Sequence, residues 1–430
     1  MARLYHKAYR RGGGRRGGFK KASPDPYYSY ATWPAKQSLP STSEPSYQGS
    51  VTDPWWSTQT VTKVTTNSSP FPTSAPSDNP LLKYSRGPIE SGGYVIAVGN
   101  WTPDIIQRSD WSVVVSNTSS LSQRICWPSR VNHGRLWTKS DGDVSGSQNF
   151  GYYPDMGTMT GFVSVWNPTA TYVWLDCPTA GEWAMDANEE YAAFTAKRVS
   201  DGVWEIICVR LSDQTVLGQY DTETTTNPVD SLCMSVTGEY VVVWMSSAGG
   251  GLSQGNNIFN RSMTHQRNIT STGTNHVDVG VLEDGLTDVL GAVGGTDNEV
   301  YYVRLSDGVK VTVINGTDSS QNMWRWNTHV SMKSYSRPGY IYVCTYDTNM
   351  VSFSTYKGHN SVTAVRLATG EIEGWCCTQH SESDDYGYSY SAFACPNFDG
   401  KRVYFSSAWR RLYSSTASSH IPQGFVAERL

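Results

Sequence analysis

Val209-Arg210-Leu211-Ser212-Asp213 recurs as Val303-Arg304-Leu305-Ser306-Asp307-Gly308 and again as Val365-Arg366-Leu367-Ala368-Thr369-Gly370. Each copy is a short β-branched run closed by a polar turn. The first two copies stand 94 residues apart, and a weaker copy, Ile258-Phe259-Asn260-Arg261, lies near the midpoint. A period of about 47 residues built from strands and turns is that of a stacked four-stranded sheet, which cannot bury its own faces and needs neighbours. The spacing predicts an all-β chain folded as a six- or seven-bladed β-propeller.

A second marker keeps step with the first. Tight turns at Thr237-Gly238, Asp284-Gly285, Pro338-Gly339 and Asp399-Gly400, and at Asn188, each precede a run such as Tyr240-Val241-Val242-Val243 or Val403-Tyr404-Phe405. Glycine supplies positive φ there, and the β-branched and aromatic residues after it suit a half-buried strand. From turn to downstream phrase the gap is about 18 to 26 residues, room for two strands and a loop.

Two places break the rhythm. Gly424 to Leu430 reads as the third strand of a last blade that lacks its outermost strand. An early segment such as Tyr94–Val98 is expected to supply it and close the ring, which removes a free edge. Asn167-Pro168-Thr169 before Tyr172-Val173-Trp174-Leu175 resembles an inner turn, yet the next follows about 19 residues later, which predicts either a truncated blade or one whose outer strands come from elsewhere in the chain.

Charge divides the chain. Residues 1–21 carry eight basic side chains, including Arg10, Arg11, Arg15, Arg16, Lys20 and Lys21, and no acid. The remaining chain has 26 basic against 38 acidic residues, a net of -12. Residues 1–21 are expected to form a disordered basic arm that binds polyanion, either nucleic acid or the acidic face of a neighbouring subunit. Residues 22–89, rich in Ser, Thr and Pro, are expected to be an extended or wrapping segment, and residues 90–430 the propeller. No apolar run has the length of a membrane span or the core of a secretory signal. The eight cysteines show neither metal-site spacing nor a disulfide framework, and Cys208, Cys233 and Cys344 fall on expected strands as small buried thiols.

From about residue 160 to the end, the chain resembles the TolB-like and WD-like propeller proteins of bacteria and their viruses. Gly238-Glu239-Tyr240-Val241-Val242-Val243, Gly249-Gly250-Gly251-Leu252-Ser253-Gln254-Gly255 and His329-Val330-Ser331 with Arg337-Pro338-Gly339-Tyr340 carry the likeness. Pro396-Asn397-Phe398-Asp399-Gly400, close to the Pro-Asp-Gly inner turn of that superfamily, completes it. Such propellers bind proteins, peptides and glycans, and a few are enzymes. A distant similarity to oligogalacturonate lyases, which hold a divalent metal with histidines near the channel, implies a metal site at His276, His329 and His380. Arg325 or Arg337 would then face a uronate carboxylate.

Two functions follow from this reading. The first is a non-enzymatic binding or structural propeller, displayed outside a cell or on a virion. It needs no cofactor and recognises glycan or protein through aromatic loops at Trp324, Trp326, Tyr386 and Tyr388. The alternative is a metal-dependent polysaccharide lyase using the channel histidines. Homo-oligomerisation through the arm is compatible with either.

Overall fold

The computed structural model describes residues 45–46, 48–53, 59–64, 89–99, 102–115, 125–140, 148–177, 183–269, 277–294, 299–314, 329–345, 357–378, 394–407 and 423–429, with the short pieces 27–28, 37–38 and 354–355. These residues form seven antiparallel blades around one axis. Blade 4 shows the plan: Val229–Met234 is innermost, followed outward by Tyr240–Met245, Gly255–Asn260 and His265–Ile269. Blade 5 repeats it with Val277–Val281, Asp288–Gly294, Glu299–Arg304 and Lys310–Ile314.

The repeated phrase is the end of each blade's third strand and the turn after it. In blade 3 the Arg210 guanidinium reaches back over that turn to Asp213, with Nη2 2.6 Å from Oδ2, and Thr215 N–H donates to Oδ1 at 3.2 Å. Arg304, Asp307 and Val309 repeat this geometry in blade 5. Both pairs are solvent-exposed, so they fix the turn more than they stabilise the fold.

The expected inner turns are where the glycines placed them. Gly238, Gly285, Gly339 and Gly400 have φ of 75°, 70°, 81° and 67°. At Gly339 a second constraint acts, because a Cβ there would lie 2.4 Å from Glu283 Cγ and 3.0 Å from its backbone nitrogen in blade 5. The turn residue is thus also the place where two blades touch.

The ring closes with an early segment, as expected, but a different one. Gln59–Lys63 pairs with Gln423–Arg429 as the fourth strand of blade 7, and Ser50–Thr52 adds a fifth. Tyr94–Gly99 is instead the second strand of blade 1, hairpinned to Glu90–Ser91 through Gly92-Gly93 and paired on its other side with Thr102–Gln107. With both edges taken, it has no free ladder to lend. The Pro-rich segment also lays Tyr27–Tyr28 on the outer edge of blade 6.

Blade 3 is complete, not truncated. Its inner strand begins with Tyr172–Asp176 paired to Thr195–Arg198 and resumes at Met185, which bridges Ala192. Asn167-Pro168-Thr169 is not an inner turn but the link from the outermost strand of blade 2, Val163–Trp166, to the innermost strand of blade 3, which is why the next inner turn follows so soon. Aromatic packing fills the junction between blades 2 and 3: Trp137 stacks on Phe150 at 5.5 Å, and Phe150 meets Phe194 edge-on at 5.0 Å. All eight cysteines are buried.

Candidate functional site

The seven inner turns gather at one end of the axis. Neighbouring turns are hydrogen-bonded: Ala187 N–H to Val236 O at 3.0 Å, Gly339 N–H to Val281 O at 2.9 Å, and Ser336 N–H to Phe398 O at 3.0 Å. Successive blades thereby present Ala187, Val236, Val281, Tyr335 and Phe398 side by side as an apolar floor. The Tyr335 and Phe398 rings lie 5.6 Å apart, and Phe398 meets Trp183 of blade 3 edge-on at 5.3 Å. Contact between a blade 7 residue and a blade 3 residue spans the axis.

A cavity of about 380 Å³ opens over that floor, walled by Arg130, Glu190, Tyr191, Glu239, Arg261 and Leu286. Arg130 comes from blade 2. Its Nη1 donates to Ala187 O at 3.1 Å, and its guanidinium carbon sits 5.0 Å from the centre of the Tyr335 ring. Arg261 pairs with Glu239 at 2.7 Å and stacks on Tyr191 at 4.6 Å. Leu286 stands 77% exposed on the blade 5 side.

Two buried carboxylates build this end. Glu189, in the inner turn of blade 3, reaches into blade 2 and accepts hydrogen bonds from Ser129 Oγ, the N–H groups of Arg130 and Val131, and Trp137 Nε1 at 2.7–3.1 Å. It therefore fixes the backbone that carries Arg130. Asp186 closes its own turn by accepting from the N–H groups of Asn188, Glu190 and Tyr191. Burial pushes its carboxyl up to about 6, against the opposing pull of those donors.

Inside the channel, Asp278 of blade 5 and Lys333 of blade 6 are fully buried and form an ion pair at 3.0 Å. Met332 N–H donates to Asp278 Oδ2 at 2.7 Å, and Val279 N–H to Oδ1 at 2.8 Å. Burial, the largest single influence, would lower the Lys333 pKa, and Asp278 together with Tyr335 and Cys233 more than reverses this. The same burial pushes the Tyr335 phenol up to about 12. The pair is locked internally and acts as a structural pin between two inner strands.

Of the residues expected from sequence to carry function, few fall in the described part. His329 is the first residue of the inner strand of blade 6, His329–Ser331, and is buried. It thus lies at the opposite end of that strand from the inner turn. Arg337 lies in the turn itself, bound to Glu373 at 2.5 Å and to Tyr342 Oη at 3.0 Å, so it does not share an end of the channel with His329. His276, His380, Arg325, Trp324, Trp326, Tyr386, Tyr388 and the arm residues Arg10, Arg11, Arg15, Arg16, Lys20 and Lys21 lie outside the described residues. Among the described residues no group of three or more His, Cys, Asp or Glu is placed to hold a metal ion, and two of the three expected ligands, His276 and His380, lie outside them.

Sequence reasoning missed Arg130, Glu189, Arg261 and Leu286. One signal was present. Glu189 occupies, in its turn, the place that Gly238 fills in the next blade, and adopts φ of 59°. A charged residue in a glycine position is held there by a specific partner.

An oligogalacturonate lyase in complex with manganese is similar to this chain at 12% identity, covering 92% of this chain and 98% of that one, with a TM-score of 0.57. The oligogalacturonate lyase of Vibrio parahaemolyticus matches at 11% identity over 88% of this chain and 96% of its own, TM-score 0.56. TolB from Acinetobacter baumannii matches at 10% identity over 79% and 78%, TM-score 0.35. At such identities the likeness shows the fold. No family model matches the chain, and no curated protein matches it. The fold is that of a seven-bladed β-propeller.

Proposed function

We propose that this propeller is a recognition module that catalyses no reaction, and that it takes a glycan or protein ligand at the axial mouth formed by its inner turns. The observation that carries this is the walled cavity floored by Ala187, Val236, Val281 and Tyr335. Its polar groups are preorganised, with Arg130 and Arg261 each stacked on a tyrosine, and preorganised polar groups over an apolar base suit binding. The basic arm contributes a separate, polyanion-binding function.

The alternative reading, a metal-dependent lyase, is supported by the fold shared with oligogalacturonate lyases and by His329 at the other end of the channel. One experiment separates the two. The intact chain is screened on glycan and peptide arrays, and in parallel incubated with oligogalacturonate and manganese while new unsaturated ends are counted. Array binding without turnover supports recognition; manganese-dependent turnover lost in His329→Ala overturns it.

A further inference from the structure

The cavity at the inner-turn mouth holds two opposite charges that are not spent on each other. Arg130 uses one N–H on Ala187 O and lays its face toward Tyr335, and it has no carboxylate partner among the described residues. Glu190 donates its own backbone N–H to Asp186, while its side chain makes no ion pair among the described residues. The third and fourth charges, Arg261 and Glu239, neutralise each other at 2.7 Å. The same cavity is also lined by apolar residues: Val236 and Val281 at its floor, Pro338, and Leu286 held out in solvent.

Leu286, 77% exposed beside the cavity, would add about 25 cal/mol of binding free energy for each Å² of its apolar surface that a ligand covered. A ligand carrying only an anion would meet Arg130 and be repelled by Glu190. A ligand carrying only a cation would meet the reverse, beside an arginine. A neutral apolar ligand would desolvate both charges without pairing either.

Resting on the recognition reading, we propose that the axial cavity binds a dipolar peptide segment, in which an acidic side chain pairs with Arg130, a basic side chain pairs with Glu190, and an apolar side chain covers Leu286. The Arg130 fork is suited to a carboxylate because its planar donors meet both oxygens, and Tyr335 beneath fixes its plane. Glu189 is the positioning residue: its carboxylate holds the Arg130 backbone N–H at 2.7 Å and so sets where the guanidinium starts.

The test uses the full chain and a displayed library of random heptapeptides. Selection on the wild-type protein is followed by counter-selection on an Arg130→Ala, Glu190→Gln double variant whose far-ultraviolet circular dichroism and unfolding midpoint match wild type. The enriched sequences should carry one acidic, one basic and one apolar residue. A synthetic peptide of the enriched sequence should lose at least tenfold in affinity with either single variant. Glu190→Asp should restore part of that loss, which a merely structural role would not do.

Enrichment of purely basic peptides, with affinity that collapses in salt, would reduce the result to attraction by the acidic body and overturn the proposal. Absence of any enrichment that depends on Arg130 and Glu190 would overturn it equally. If peptides fail but a glycan binds in a manner lost on Arg130→Ala, the dipolar-peptide assignment falls while recognition at this mouth stands. If no ligand depends on this mouth, both fall.

Discussion

Replacing Lys333 by Met removes one half of a fully buried ion pair and leaves the other half in place. Asp278 would then keep only the N–H groups of Met332 and Val279 against its charge, in the packed channel between two inner strands. Breaking a buried pair from one side costs about 3–5 kcal/mol, because an uncompensated charge remains. Changing Asp278 to Asn in the same chain removes that charge and keeps an acceptor for Met332 N–H. The double variant should therefore be more stable than Lys333→Met, with a coupling of about 2–3 kcal/mol. Equilibrium urea unfolding followed by tryptophan fluorescence measures both, with stability read from the midpoint where the slope is unchanged. A Lys333→Met loss below about 1 kcal/mol, or strictly additive single effects, would refute the pin.

Three further outcomes follow from the geometry. Gly339→Ala forces an L-residue to φ of 81° and a Cβ against the Glu283 backbone, so it should lower stability by about 1–3 kcal/mol in the same urea assay. Asp186 has a carboxyl raised to about 6, so the folded state binds its proton more tightly than the unfolded chain does. Its stabilising contribution is complete below the ordinary carboxylate value and is lost as pH rises through about 6. The stability of wild type relative to Asp186→Asn should accordingly fall by up to about 3 kcal/mol between pH 4 and pH 7, and a flat difference would contradict the assignment. Deleting residues 1–21 should abolish retention on nucleic acid while leaving the Tm unchanged, and before deletion the log–log salt slope on duplex DNA should be about -0.9 per phosphate neutralised.

The repeat was legible because it is written in chemistry that each blade needs separately. Arg210 and Asp213, or Arg304 and Asp307, close a turn within one blade, and Gly238 or Gly339 supplies a backbone angle no other residue adopts cheaply. Such local requirements leave the same letters at the same spacing. The closing strand was harder to read. Gln59–Lys63 carries no pattern that distinguishes it from its Ser/Thr-rich surroundings, and its partner Gln423–Arg429 is some 360 residues away. Tyr94–Gly99 has the more strand-like sequence, but its nearer partners occupy it first.

Blade 3 misled for a related reason. Asn167-Pro168-Thr169 has the letters of an inner turn but links blade 2's outermost strand to blade 3's innermost one, and only the pairing of Tyr172–Asp176 and Met185 with the same second strand shows where blade 3 begins. The axial site was nearly invisible in sequence, because it draws one or two residues from each of several turns. Arg130 and Tyr335 are about 200 residues apart, and no spacing rule connects them. Glu189 alone left a trace, as a carboxylate in a glycine position.

The account turns on which end of the channel meets the ligand. The direct measurement compares the binding of an array-identified ligand to Arg130→Ala and to His329→Ala, each verified as folded. The account predicts that Arg130→Ala weakens binding at least tenfold and that His329→Ala leaves it within twofold of wild type. Loss with His329→Ala and retention with Arg130→Ala would place recognition at the opposite mouth and contradict it.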